Sequence, residues 1–394
     1  MTGSQAVRDA DLAALVAELR RIGTSAGLDA VGIAPAEPFA GTRRHLEDRR
    51  AEGLHGGMQF TYRNPSRSTD PDQALAGAAA LVVGARSYLR ATPPKPPGSA
   101  GPVGRIARYS WCDHYEPLRQ ALGSVADRLS SDGWRARVLA DDNALVDREA
   151  AYRAGLGWYG KNTNLLLPGR GSWHVLGSVV TDAPLPPDQP IADGCGACER
   201  CLTACPTGAF IRPGVLDARR CLAWLVQAPG VFPLEHRAAL GDRIYGCDAC
   251  QEVCPVNVVS HRRTPPPPAD PDDEAITSLL AVLAATDEEL LARFGRWYIP
   301  QREPRYLRRN ALVALGNTAD GFQPAVVAAV RRALADPDPL LRAHAVWAAA
   351  RMGRPDLLGA VVDDRHPAVR AELAAAREVH ATTVGTDPTA AAPI

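Results

Sequence analysis

At 394 residues the chain is long enough for two or three domains with cores of their own. It is 46% apolar but has no uninterrupted apolar run of membrane length, so a membrane partner is not expected. Its 44 Lys and Arg balance 44 Asp and Glu, so any nucleic-acid affinity has to come from local clustering of basic side chains.

No charged-then-apolar leader opens the sequence, and a cytoplasmic protein with reduced thiols is expected. Leu12, Leu15, Val16, Leu19 and Ile22 share one helical face, and Ala30–Ala34 then reads as a buried strand. Leu81–Ala85 repeats the strand signature. Asp113 is placed to cap a helix that runs through Leu118, Leu122, Val125 and Leu129, and Trp173–Val180 is a further strand. Residues 1–184 are therefore expected to form an α/β or α+β layer domain. They contain neither a G-x-G-x-x-G after a strand nor a phosphate loop. Pro93–Gly98 reads as a surface loop inside this domain, and Pro184–Pro187 marks the passage out of it.

Eight of the nine cysteines follow. Cys195-x-x-Cys198-x-x-Cys201-x-x-x-Cys205-Pro206 has the spacing of a bacterial two-cluster ferredoxin, in which the fourth cysteine serves the other cluster. A half-motif, Cys247-x-x-Cys250-x-x-x-Cys254-Pro255, completes the pattern, with Cys221 between. The crossing rule gives Cys195, Cys198, Cys201 and Cys254 to one [4Fe–4S] cluster, and Cys205, Cys221, Cys247 and Cys250 to the other. Structural zinc is the alternative, although zinc sites use separated pairs instead of a three-cysteine run. Residues 185–262 are thus read as a ferredoxin-like domain that moves electrons. Cys112, the ninth, is read as a small buried hydrophobe.

Pro265–Pro268, with the acidic residues after it, reads as a stiff linker into a helical region over 263–380. Arg293, Arg296, Arg302, Arg305, Arg308 and Arg309 lie close together, opposed in sequence only by Glu303 and interleaved with Trp297 and Tyr298. Arginine forks suit phosphates and aromatic rings stack on bases, which points to RNA; a solvated helix face beside two core aromatics is the other reading. Leu307–Gly316, Pro339–Ala345 and Pro367–Leu373 form a weak repeat, the last two sharing P-x-x-R, as HEAT-type helices do. Residues 381–394 are expected to be a disordered tail.

The block Asp147-Arg148, Ala154-Gly155-Leu156-Gly157-Trp158 and Gly160-Lys161-Asn162 resembles the epoxyqueuosine reductases. So do the eight-cysteine pattern and Arg309-Asn310-Ala311-Leu312 followed by Leu315-Gly316-Asn317, and the likeness runs from about residue 10 to 375. The resemblance implies a monomeric tRNA-modifying enzyme. It uses cobalamin and two [4Fe–4S] clusters, fed by a flavodoxin- or ferredoxin-type donor, to deoxygenate epoxyqueuosine at the wobble position. The family's proton-donating aspartate, six residues before Asp-Arg, falls on Asp141, with Asp142 beside it. The cobalamin contacts the resemblance implies are Met58, Arg108, Tyr109, Asp141, Lys161, Asn162, Asn164, Leu165 and Leu176. The helical repeats would grip tRNA through the six arginines. Relatives read Asp-Tyr-His where this chain has Asp113-His114-Tyr115, which leaves the roles of those two rings open.

Two other functions fit parts of the sequence. A reductive dehalogenase would share the cofactors but has no use for an arginine-rich helical repeat. A ferredoxin-like carrier on an interaction scaffold leaves the Asp141–Asn164 block without a purpose.

Overall fold

The structure is a computed structural model and describes residues 3–93 and 101–384. Most of the Pro93–Gly98 loop and residues 385–394 of the expected tail lie outside the described residues. Two compact units are each assembled from three chain segments: Met1–Pro93, Arg108–Cys221 and Asp248–Asp273 in one, Pro94–Ala107, Leu222–Cys247 and Glu274–Ile394 in the other. The expected cuts after 184 and after 262 coincide with no boundary between these units.

The first unit is built on a sheet of four strands in the order Ala30–Pro35, Ala80–Ser87, His174–Thr181, Ala136–Ala140. Every pairing in it is antiparallel, which makes the layer domain α+β. Alternate residues of a strand face opposite sides. Ala80 and Val82 meet Leu15, Val16 and Leu19 of the helix Gly3–Ser25 and Leu118, Leu122, Val125 and Leu129 of the helix Tyr115–Ser131. Leu81, Val83 and Ala85 meet Leu145, Ala150, Ala151 and Leu156 on the other side. Both faces are covered, so truncating a side chain such as Leu122 to alanine should cost roughly 2–5 kcal/mol. Asp113 does cap the helix Tyr115–Ser131: its Oδ1 accepts from the backbone N–H groups of Tyr115 and Glu116 at 2.9 and 3.0 Å. Gly177 lets the edge strand close in, since a Cβ there would lie 2.8 Å from Leu122 and 3.0 Å from the Ala140 methyl. That contact fixes where residue 141 leaves the sheet.

Pro265–Pro268 is not a free linker. The Ala91 N–H donates to Pro267 O at 2.8 Å, and the first unit continues to Asp273.

The second unit has a small sheet, Arg243–Tyr245 parallel to Val103–Ile106 and Ile276–Ser278 antiparallel to it. Helices Arg305–Thr318, Pro324–Leu334, Pro339–Arg351 and Pro367–Val384 follow as stacked neighbours. The last of these includes residues 381–384, expected to belong to the tail. Leu222, Leu225, Val226, Phe232 and Leu240 form a core with Val313. Among the described residues no helix is long and apolar enough to cross a membrane.

Candidate active site and cluster cradle

Residues 141–146 connect the edge strand Ala136–Ala140 to the helix Asp147–Arg153. Asp141 holds a left-handed backbone, φ +55°, a conformation uncommon outside glycine. Its side chain is exposed and has no hydrogen-bond partner among the described residues. Crowding by surrounding protein raises its carboxyl above the ordinary value; Arg119 pulls it down, and Asp113 and Asp142 push it up. Asp142 is committed to the loop, because its Oδ1 accepts from Ala144 N at 2.8 Å. The neighbour that sequence alone left in contention is thereby occupied.

Two further groups face Asp141. Asp147 Oδ1 is shielded from solvent and has no hydrogen-bond partner among the described residues. Burial and then the Asp141 charge hold its carboxyl well above the usual range. Tyr115 is half-buried; burial raises its hydroxyl, and Asp141 and Asp147 add to that. The order Asp113-His114-Tyr115 now has a meaning. Asp113 caps the helix, and His114 turns inward at 7% exposure, its Nε2 3.2 Å from Arg108 O and a ring nitrogen 3.5 Å from Cys112 Sγ. Burial lowers the imidazole, and Tyr115 is the ring that meets the carboxyls. Sequence reasoning quoted Asp147 within a motif but gave it no role, and it left the role of Tyr115 open.

Cys195, Cys198, Cys201 and Cys254 lie in mutual electrostatic reach. Burial raises the Cys201 thiol, and Cys254, Cys195 and Cys198 all add to the shift. Cys254 is buried with Cys195 against Trp158 and Leu166. The second set has N–H donors aimed at sulfur: Ala209 N to Cys205 Sγ at 3.3 Å and Asn164 Nδ2 to Cys250 Sγ at 4.0 Å. Among the described residues no three His, Cys, Asp or Glu are drawn up into a finished metal cage. Thiols that crowd one another, with amide donors on sulfur, are a donor set that fits iron–sulfur ligation. Cys112 is half-buried and touches His114.

The expected cobalamin contacts divide into groups. Asn162, 3% exposed, donates to Cys250 O at 3.4 Å and accepts from Asn164 N at 3.2 Å, so both amides stand against the cysteine-bearing turn. Lys161 Nζ is 3.9 Å from Glu199. Arg108 is tied to the helix Ala249–Glu252, its Nη1 3.1 Å from Glu252 and its backbone N 2.9 Å from Asp248, with the guanidinium over Trp173. Tyr109 is half-buried and lies within electrostatic reach of Tyr115. Met58 sits on a turn tied to the segment before Cys221 by Ala218 N to Leu54 O at 2.8 Å. Leu165 and Leu176 belong to the core beneath the sheet and present little surface. The side-chain amides of Asn162 and Asn164, donors and acceptors held at one turn, fit a ligand rimmed with amides, as a corrin is.

The arginine cluster departs most from expectation. Arg309 is 1% exposed and donates to Ala228 O and Gly230 O at 2.7 Å and Leu225 O at 3.0 Å, so it cannot reach a phosphate. Burial pushes its guanidinium down to about 9. Folding also supplies acids that the local sequence lacks. Glu274 takes Arg293 and Arg296, Asp287 takes Arg308, and Asp338 joins the local Glu303 on Arg305. The Arg302 guanidinium donates to Gly295 O at 3.1 Å. Trp297 is a core ring stacked on Tyr245 at 4.2 Å and Phe294 at 4.3 Å, while Tyr298 is 54% exposed.

Comparison with known proteins places a 4Fe-4S double cluster binding domain over residues 194–257 and HEAT repeats over residues 298–377. The chain is 33% identical to an epoxyqueuosine reductase of Bacillus anthracis over 332 residues, 83% of this chain and 86% of the relative. It is 34% identical to that of Bacillus subtilis (strain 168) over 343 residues, covering 86% and 88%. A crystal structure of epoxyqueuosine reductase with an epoxyqueuosine-modified tRNA-Tyr stem loop superposes with a TM-score of 0.83 at 30% identity, over 93% of this chain and 99% of that one.

Proposed function

The chain belongs to the epoxyqueuosine reductase family and is an oxidoreductase, and from that premise we propose that it removes the epoxide oxygen of epoxyqueuosine at the wobble position of tRNA, with Asp141 as proton donor. The proposed cofactors are cobalamin and two [4Fe–4S] clusters, on Cys195, Cys198, Cys201 and Cys254 and on Cys205, Cys221, Cys247 and Cys250. A cytoplasmic setting and an external flavodoxin- or ferredoxin-type donor complete the reading.

The observation that carries it is Asp141: a strained, unpartnered carboxyl pushed up by its surroundings, at the mouth of a loop that Gly177 holds in place. Turning an epoxide into an alkene breaks both C–O bonds and releases the oxygen as water, which takes two electrons and two protons. An ordinary aspartate is ionised near neutral pH, so a donor needs a raised pKa. Asp141 has one; Asp142 is engaged in a turn.

Cobalamin, when bound, supplies a metal centre that accepts electrons from the clusters and passes them to carbon. Asn162, Asn164, Lys161 and Tyr109 would hold and orient it. The amides of Asn162 and Asn164 also touch the Cys250 turn, which puts that cysteine set beside the proposed corrin wall.

The test is anaerobic turnover of tRNA carrying epoxyqueuosine by enzyme with reconstituted clusters, cobalamin and a strong reductant, read by nucleoside mass spectrometry. Loss of one oxygen that requires cobalamin is expected. Intact clusters and bound cobalamin without conversion would send the search to another substrate.

A further inference from the structure

Two protons per oxygen removed is one more than a single carboxyl holds. Asp141 can protonate the departing oxygen once and is then an anion. It must be recharged before the second protonation makes water, and its partners decide how.

Asp147 is placed for this. It opens the helix Asp147–Arg153 at the far end of the loop that begins with Asp141. A carboxylate in a first helical turn is ordinarily kept ionised by backbone N–H groups and the helix dipole. Here Oδ1 is buried and receives no N–H among the described residues. Glu149, in the same turn, shows the ordinary outcome, paired with Arg153 at 3.0 Å. The groups that act on Asp147 are Asp141, Asp142 and Arg148, and Tyr115 faces it from the helix Tyr115–Ser131. Two of the four are acids that oppose its ionisation, and only Arg148 favours it.

We propose that Asp147 is a second acid of the site, carrying the proton that recharges Asp141 within each turnover. The O–H bond of Asp147 breaks as an O–H bond forms on the Asp141 carboxylate, and the Asp147 anion later takes a proton from water. No oxidant or reductant is involved. The assignment rests on Asp141 being the donor, and burial raises the Asp147 carboxyl well above the usual range.

The test uses the holoenzyme and single turnover with enzyme in excess of epoxyqueuosine tRNA. Asp147→Asn is expected to slow product formation on the order of tenfold at pH 8 and to approach wild type at pH 6, where solvent recharges Asp141. A wild-type pH profile in that variant, with Asp141→Asn inactive, overturns the relay and leaves the donor in place. Normal turnover by Asp141→Asn overturns the donor reading itself. Infrared spectroscopy supplies a readout independent of activity. A deuterium-sensitive neutral-carboxyl band at pH 8 should persist in Asp141→Asn and vanish when Asp147→Asn is added to it. Should Asp147→Asn lose its clusters, the band in Asp141→Asn decides alone: its presence carries the assignment and its absence ends it.

Discussion

Asp141→Asn keeps the size of the side chain and removes its proton. Turnover is expected to fall about 10²- to 10⁴-fold in the mass-spectrometric assay, with cobalamin and tRNA still bound. Asp142→Ala should instead cost on the order of 1 kcal/mol of stability through the lost turn bond and retain chemistry; a dead enzyme there would reverse the assignment. A third residue gives a pH signature. Burial pushes His174 down to about 4 from 6.5, with Asp29 opposing and Arg170 assisting. The unfolded chain therefore binds the extra proton first as pH falls. This stability is fully present above about 6.5 and is lost progressively toward about 4, a swing of roughly 3 kcal/mol. Denaturant midpoints between pH 7 and pH 4.5 measure it, and His174→Gln should flatten the curve.

At the level of helices, the six arginines separate into two jobs. Arg309, Asn310 and Asn317 point into their own unit: Asn310 Nδ2 donates to Val226 O and Ile244 O at 2.8 and 3.0 Å, and Asn317 Nδ2 to Arg237 O at 2.8 Å. Arg309→Ala leaves buried carbonyls without donors and should destabilise by roughly 3–5 kcal/mol, seen as a lower thermal midpoint. Four phosphate contacts, from Arg293, Arg296, Arg302 and Arg305, would give log K against log[salt] a slope of roughly −3 to −3.5. Arg302→Ala should reduce that slope by about one, and a slope near zero in wild type would refute tRNA contact by these arginines. Sequence could not sort these arginines, since the acids that claim them come from positions such as Glu274 and Asp338. It could find Ala30–Pro35, Ala80–Ser87 and His174–Thr181, whose two buried faces write continuous apolar runs. It could not find the edge strand Ala136–Ala140, whose Arg137 faces outward and interrupts the run, nor the antiparallel pairing. The P-x-x-R frame was legible and has a reason: Arg342 closes its loop through Asp364 at 2.6 Å and Asp336 O at 2.7 Å. Arg370, in the last copy, is exposed.

Across the whole molecule, the 4Fe-4S double cluster domain was legible because ligand spacing is local, and the division into units was not. Leu222–Cys247 belongs to the second unit, where Phe232, Leu240 and their neighbours pack on Val313 and Phe232 N donates to His344 Nε2 at 3.1 Å. A chain ended after Asp273 would strip that segment of its core. It is expected to lose the cluster that needs Cys247 and keep the one on Cys195, Cys198, Cys201 and Cys254, measured as iron per chain. Iron equal to the full-length protein would contradict this.

That threading also sets a clock on biosynthesis. The four cysteines of one site have all been made once Cys254 is translated, and their unit is complete at Asp273. The packing partners of Leu222–Cys247 are still unmade: Val313 and His344 come later, on the order of ten seconds at ordinary elongation rates. The two proposed iron–sulfur sites of one short motif are therefore expected to mature in sequence, the first while the ribosome is still working and the second only after the helical repeats are made.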